Sequence, residues 1–227
     1  MASIDFFLPD PGMRLLDMNE MADSAGSLAQ AISILRDEDA KPWMDKHAMD
    51  RASGSLYPIP HNPVFDFSLK VEEAAWIDEL AAAALDAQNR DDAQPRMLHG
   101  DWSARNIRIV NHRLVASYDW DSLGAFRESK GVGIAAAAWR SNGEMYDPPA
   151  PNSDEIGAYL EAYIEATDGS RSRQWRIAAM GSALYTLAYT ARCEHSVEAH
   201  DPRYRARRAR DTLTADRSGF IDALQDP

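Results

Sequence analysis

The spacing of apolar and polar positions divides the chain into helical segments on both sides of one short β-rich stretch. Helices are predicted over residues 26–37, 69–89, 171–195 and 203–224. A further helix begins after Asn152, because Ile156, Tyr159 and Leu160 share one face and Glu155 stands where a capping box requires it. The pattern is typical of a mainly helical protein.

The β-rich stretch consists of residues 107–110 and 114–118, joined by a turn at residues 111–113. The turn begins with asparagine, which tolerates a left-handed backbone, so the stretch predicts an antiparallel hairpin. The expected register sets Val110 opposite Leu114. Asn106 then lies opposite Tyr118, one residue before Asp119. Because paired strands lie about 4.8 Å apart, the open end of the hairpin would bring an amide oxygen and a carboxylate together.

These elements predict a mainly α fold of the α+β class in a single domain. A chain of 227 residues with 45% hydrophobic content can bury one sizeable core. Residues 1–98 are expected to form a helical lead-in, residues 99–121 the distinctive loops on the hairpin, and residues 129–227 a second helical region. No internal repeat or low-complexity tract is visible in the sequence.

The charge of the chain argues against several classes of function. A formal net charge of −12 disfavours binding to nucleic acid or to an anionic membrane, since both require a broad basic surface. The single cysteine, Cys193, cannot form an intrachain disulfide, and the first residues lack the basic and apolar regions of a signal peptide. The apolar stretch 177–189 is too short to span a bilayer. We therefore expect a cytoplasmic protein without a membrane segment.

Three oxygen-bearing side chains are expected near the open end of the hairpin. Asp101 stands five residues before Asn106, in a loop that leads to the same edge. Mg²⁺ takes oxygen ligands at about 2.0–2.1 Å and keeps several water or phosphate oxygens. Asn106 and Asp119 could therefore share one Mg²⁺ ion beside the Asp101 carboxylate. Each residue alone is more often a cap or a turn residue, and it is their joint spacing that favours a site.

The motif HGDWSARN at residues 99–106, followed by YDWD at residues 118–121, resembles the aminoglycoside phosphotransferase and choline-kinase-like family, whose members are relatives of protein kinases. The resemblance implies the C-terminal helical lobe of a kinase-like fold. It also implies transfer of the γ-phosphoryl group of ATP or GTP, with Mg²⁺, to a hydroxyl of a small molecule. The acidic surface favours a cationic substrate, such as an aminoglycoside or an amino alcohol.

The resemblance implies a role for each residue of the motif. Asp101 would be the catalytic aspartate, which accepts or orients the proton of the substrate hydroxyl. Asn106 and Asp119 would be the metal ligands. The supporting residues would be His99, Asp121 and Arg105. The histidine is expected to bond the backbone of its loop rather than to transfer protons.

The first 98 residues depart from the family pattern. Kinase-like proteins carry an N-terminal β lobe with a glycine-rich loop and a lysine that pairs with the nucleotide phosphates. Here the segment contains only Gly12, Gly26 and Gly54, so it has no G-x-G-x-x-G motif, and its three lysines stand in acidic or helix-leading contexts. The N-terminal β lobe is therefore expected to be absent. A second departure is the sequence SKGVG at residues 129–133, where the family places an aspartate.

Three interpretations stay open on the sequence. The chain is an active phosphotransferase, alone or with a lobe supplied by a partner chain or a homodimer; it is a truncated or degenerate relative that acts as a binding or regulatory module; or it is a metal-dependent phosphohydrolase. The last is the least favoured, because no further His or Asp ligands stand at a defined spacing.

Six acidic residues are candidates for a wall that binds a cationic substrate, and solvated helix faces explain them equally well. They are Asp147, Asp154, Glu155, Glu161, Glu194 and Glu198.

Overall fold

The structure is a computed structural model that describes residues 16–35, 54–60, 62–141, 148–167, 169–203 and 208–225. The helices are α1 (Met18–Leu35), α2 (Val71–Gln88), α3 (Glu128–Ala138), α4 (Ser153–Ala166), α5 (Arg173–His200), α6 (Arg208–Ala215) and α7 (Arg217–Ala223). The strands are β1 (Arg96–His99), β2 (Ile107–Val110), β3 (Arg113–Ser117) and β4 (Leu123–Phe126). The described chain is thus mostly helical with a small β content, as the sequence predicts.

Helix α5 is the centre of the helical packing, with α2, α3 and α6 against it, while α1 packs against α4. Two glycines mark its closest contacts. A Cβ on Gly181 of α5 would lie 2.7 Å from the carbonyl oxygen of Ala84 in α2. A Cβ on Gly133 of α3 would lie 2.2 Å from the carbonyl oxygen of Ala179 in α5. Both distances are far below van der Waals contact, so these helices approach at a separation that only glycine allows.

The start of α4 confirms the prediction made from its capping pattern. The Asn152 side chain accepts a hydrogen bond from the Glu155 N–H at 2.9 Å, and the Glu155 carboxylate accepts one from the Asn152 N–H at 3.0 Å. This reciprocal pair satisfies two of the N–H groups that a helix start leaves without partners.

Three other predicted helices have different bounds. Helix α5 continues to His200, whereas the prediction ended at residue 195. Helix α1 begins at Met18 rather than at residue 26, because the Asp17 carboxylate accepts hydrogen bonds from the N–H groups of Asn19 and Glu20, each at 2.9 Å. The helix predicted over residues 203–224 is two helices, α6 and α7, with a break at Asp216. At the break the Asp216 carboxylate accepts a hydrogen bond from the Ser153 N–H at 2.7 Å, and so joins α7 to the start of α4.

The strands form two antiparallel pairs, β1 with β4 and β2 with β3. The β2–β3 hairpin was predicted, but its turn is shorter than expected because Val110 pairs with Arg113 and not with Leu114. The two turn residues, Asn111 and His112, both have positive φ, at 50° and 58°, as a two-residue hairpin turn requires. A bulge at Val115 of β3, opposite the step from Arg108 to Ile109 in β2, then shifts the register by one residue. The open end therefore has the predicted register, with Ile107 opposite Ser117.

The β1–β4 pair was not predicted. Its register sets Arg96 opposite Phe126 and His99 opposite Leu123. Each strand has four residues, which is too short for the alternation of polar and apolar residues to be distinctive. The pair nonetheless decides where the loops of the next section lie.

Before β1, the structure describes α1, α2 and the segments around them. Residues 1–15, 36–53 and 61 lie outside the described residues, so the expected absence of an N-terminal β lobe stays a prediction. Among the helices that the structure describes, none has both the length and the apolar character needed to cross a bilayer.

Candidate functional site

Two loops lie side by side because of how the four strands pair. Residues 100–106 connect β1 to β2, and residues 118–122 connect β3 to β4; we call these segments the paired loops. At one end the Gly100 N–H donates to the Ser122 carbonyl at 2.9 Å. At the other end the Tyr118 N–H donates to the Asn106 carbonyl at 2.8 Å. Backbone hydrogen bonds thus hold both ends of the paired loops together.

The imidazole of His99 joins the two loops a second time. Its Nε2–H donates to the Tyr118 carbonyl at 2.8 Å, while Nδ1 accepts from the Asp101 N–H at 3.2 Å and from the Ser122 hydroxyl at 3.0 Å. These partners assign the tautomer, with the proton on Nε2. Both ring nitrogens are therefore used in holding the loops, in accord with the structural role that the sequence predicts for His99.

The first loop is also anchored to the helices on each side. The indole N–H of Trp102 donates to the carbonyl and hydroxyl oxygens of Ser24 in α1, both at 3.2 Å. The Arg105 N–H donates to the carbonyl of Ser141, just after α3, at 3.2 Å. Trp102 is 1% exposed, so it packs the loop against α1 and is not a surface for substrate.

Asp101 and Asn106 are placed by contacts within this anchored loop. The Asn106 amide nitrogen donates to the Asp101 carbonyl at 2.8 Å, and Asn106 itself is buried. That bond uses the amide nitrogen and not the amide oxygen, which is the atom a metal ion would take. The Asp101 carboxylate is partly exposed and forms an ion pair with the guanidinium of Arg105.

Asp119 stands in the second loop with an unusual backbone and a shared carboxyl. Its φ and ψ are 61° and 42°, the left-handed region that aspartate and asparagine tolerate better than most residues. A hydrogen bond with the Asp121 carboxyl, followed by partial burial and the negative charge of Asp121, raises the pKa of Asp119 above its ordinary value. The charge of Asp101 acts in the same direction, while that of Arg105 opposes it. Three carboxyl groups therefore concentrate negative charge at the paired loops.

The residues of the paired loops fit a hydrated magnesium ion better than a fully protein-enclosed one. Across the described residues, His, Cys, Asp and Glu side chains form no group of three or more that could hold a metal ion. Mg²⁺ is commonly bound through one or two carboxylates, with water and substrate phosphates as its other ligands. The Asn106 amide and the Asp119 carboxylate, on adjacent backbones, are a donor set of this kind.

Other sequence candidates have different surroundings in the structure. Of the acidic residues considered for a substrate wall, Glu155 pairs with Arg140, Glu161 with Arg176 and Glu198 with Arg210, while Glu194 accepts the backbone N–H groups of Ala209 and Arg210; Asp147 lies outside the described residues. Four of the six candidates are thus used within the protein.

The sequence did not indicate Ser122, which bonds both His99 and Gly100. A single serine at the end of a loop carries no distinctive sequence signal.

Comparison with known proteins gives a structural similarity alone. No protein-family model matches the sequence, and no curated protein matches it. Among solved structures, the fold is similar to that of the amicoumacin kinase hAmiN in complex with AMP-PNP, Ca²⁺ and Ami, with a TM-score of 0.54 and 9% sequence identity. The match covers 96% of this chain and 64% of that kinase, so the chain spans less than two thirds of the length of its structural neighbour. The chain therefore has a fold similar to that of this kinase.

Proposed function

We propose that this chain is a kinase-like phosphotransferase that moves the γ-phosphoryl group of ATP or GTP to a hydroxyl of a small molecule. The observation that carries the proposal is the position of Asp101, Asn106 and Asp119 on two loops held together at both ends, in a fold similar to that of a kinase solved with AMP-PNP. A fold alone does not define a function, so the argument rests on the chemistry of these side chains.

Each residue of the paired loops has a defined part in such a transfer. Asp101, partly exposed on an anchored loop, would orient the substrate hydroxyl and accept its proton as the new bond to phosphorus forms. Its backbone N–H is bonded to His99, which fixes the backbone that carries the carboxylate. Phosphoryl transfer depends mainly on positioning and on neutralising charge, which makes this rigidity the main contribution of the chain.

Asn106 and Asp119 would hold a Mg²⁺ ion, which when bound supplies positive charge to the phosphate oxygens. The pKa of Asp119 is raised, first by its hydrogen bond with Asp121 and then by burial and by the charges of Asp121 and Asp101, and a cation bound there would lower it. Arg105, beside Asp101, would add positive charge at the same place. Together these residues would hold an anionic nucleotide on an otherwise acidic protein.

The experiment is a transfer assay with radiolabelled ATP or GTP, Mg²⁺ and a panel of aminoglycosides and amino alcohols. We expect transfer by the natural sequence and a loss of about 100-fold or more in kcat for Asp101→Asn, the range seen when an acid–base group is removed. Asp86→Asn is the matched control, because Asp86 is an exposed aspartate on α2, away from the paired loops. Transfer that persists in Asp101→Asn would contradict the assignment.

The alternative is a degenerate relative that binds nucleotide without turnover, and the ion pair between Asp101 and Arg105 is the observation that favours it. The transfer assay and a thermal shift together separate the two, because both predict a shift with nucleotide and only the active enzyme predicts transfer. Nucleotide with Mg²⁺ at about 100 times its Kd should add roughly 2.7 kcal/mol to the free energy of unfolding. Such a shift without transfer to any acceptor of the panel supports the binding module.

A further inference from the structure

A cavity of about 720 Å³ lies between α1, α4, the start of β1, the start of α3 and the start of α5. Small-molecule sites commonly measure about 300–1,000 Å³, so this volume suits a ligand of ordinary size. The polar and aromatic side chains that line it include Gln30, Arg96, Glu128, Tyr163, Arg171 and Trp175.

The cavity is separate from the paired loops. Strand β1 runs from Arg96, in the cavity wall, to His99, and three steps of an extended strand measure about 10 Å. Helix α1 contacts both places at different residues, because Ser24 bonds the first loop whereas the lining of the cavity begins at Gly26. No residue of the paired loops lines this cavity.

The centre of the cavity wall is the buried carboxylate of Glu128. Its Oε1 accepts from Arg171 Nε at 3.0 Å, from Arg171 Nη2 at 2.7 Å and from the Tyr163 hydroxyl at 3.1 Å. Arg96 Nη1 lies 3.6 Å from its Oε2, beyond hydrogen-bond distance. One carboxylate thus faces two guanidinium groups.

Arg96 has donor capacity beyond this contact. Its side chain is 49% exposed, and the long ion pair with Glu128 is its one salt bridge among the described residues. A guanidinium carries five N–H donors in a planar fork that matches a carboxylate or a phosphate group. Arg96 can therefore receive an anionic group from the cavity without leaving Glu128 unpaired, since Arg171 and Tyr163 stay bonded to Glu128.

Trp175 forms an aromatic wall of the cavity. It is 6% exposed and lines the cavity, and its ring stacks on that of Tyr163 with the centroids 5.8 Å apart. Trp175 also lies in the first turn of α5, where the helix dipole favours negative charge.

We propose that this cavity binds a small organic anion, a molecule with one carboxylate or phosphate group that pairs with Arg96 and lies beside the Trp175 ring. The half-exposed guanidinium of Arg96, the separate pairing of Glu128 with Arg171 and Tyr163, and the volume each support such a ligand. The site is independent of phosphoryl transfer, so its test requires no turnover and no nucleotide.

The test is a titration of the ¹⁵N-labelled full chain with benzoate, phenyl phosphate and benzamide, followed by NMR. The chain has six tryptophans, and the indole signal that Trp175→Phe removes identifies the reporter. We expect saturable movement of that signal with benzoate or phenyl phosphate and none with neutral benzamide. The tighter of the two acids shows whether the site prefers a carboxylate or a phosphate.

Arg96→Gln should weaken binding of the tighter acid about tenfold or more, as loss of a charge-assisted hydrogen bond predicts. Arg217→Gln is the matched control, because Arg217 is a 44% exposed arginine with a single carboxylate partner, Glu79, at 3.1 Å. Equal affinity of Arg96→Gln and the natural sequence would overturn the proposal. So would an unmoved Trp175 signal, equal binding of benzamide, or an equal loss in Arg217→Gln.

Discussion

The helical layer of α2, α3 and α5 and the paired loops are held by opposite kinds of contact. In the layer, glycine allows two helix backbones to approach closely, as at Gly133 beside the Ala179 carbonyl. Most of α5 is buried. In the paired loops, by contrast, Asp119 and Asp121 are exposed and repel each other, and the loops are held by backbone hydrogen bonds and by His99. The layer therefore stabilises the fold, whereas the loops hold charges that oppose it.

The difference is informative because the acidic loops lower the stability of the fold, and packing does not explain why they are present. Like charges close together destabilise a folded protein unless a ligand neutralises them. Functional sites are commonly regions where a protein retains such a cost. The contrast between the two regions thus predicts that substitutions in the layer lower stability, while substitutions in the loops lower ligand binding.

The largest effect on stability is expected for Gly133→Ala. The new methyl group would lie 2.2 Å from a backbone oxygen of α5, which cannot rotate away as a side chain could. Overpacking of this kind costs about 1–3 kcal/mol, and we expect about 2 kcal/mol from urea unfolding.

Gly157→Ala is the matched control in α4. A Cβ there has no atom within 4 Å, so the better helix propensity of alanine should raise the free energy of unfolding by about 0.5–1 kcal/mol. Equal effects of the two substitutions would show that α3 and α5 are not as close as described.

The sequence predicted the helical regions better than their junctions. The capping pair of Asn152 and Glu155 specifies the start of α4, because both partners are local. The close approach of α3 to α5 at Gly133 was not predictable, since a glycine in a helix has no pattern that names its distant neighbour. The break between α6 and α7 at Asp216 was not predictable for the same reason, because the Asp216 carboxylate bonds the start of α4.

For the candidate site, the sequence predicted that Asn106 and Asp119 stand on adjacent backbones but not the strand pairing that holds the two loops. The hairpin register next to Asn106 was predicted, although through a three-residue turn, because the bulge cancels the error made at Val110. The β1–β4 pair, which sets Gly100 beside Ser122, is too short to leave a periodic signal. The roles assigned to Asp101 and Asp119 stay predictions.

A smaller effect is expected from pH, through a buried carboxylate at the far end of the layer. Burial raises the pKa of Glu194 to about 7. Hydrogen bonds from the backbone N–H groups of Arg210 and Ala209 stabilise the charged form and partly oppose this rise. Because the folded pKa lies above the unfolded one, this group stabilises the fold fully below about pH 4.5, and the contribution is lost as pH rises through about 7.

Thermal unfolding between pH 5 and 8 tests this sign. The free energy of unfolding should fall by up to about 1.4 kcal/mol per pH unit through this group, and less steeply in Glu194→Gln. The comparison of the two proteins cancels His195, whose pKa is lowered by burial and whose contribution therefore has the opposite sign. Parallel pH profiles would contradict a raised pKa for Glu194.

The smallest effect on stability, and the most informative about function, is expected for Asp119→Asn. Asparagine tolerates the left-handed backbone at φ 61°, so the loop can keep its shape while one of three negative charges is removed. We expect a gain of about 0.2–0.5 kcal/mol in the free energy of unfolding, typical of relieved surface repulsion, together with loss of the Mg²⁺-dependent nucleotide thermal shift. Asp86→Asn, at an exposed position of α2, should change neither quantity. A variant that is more stable but still binds nucleotide with Mg²⁺ would show that Asp119 is a source of repulsion and not a metal ligand.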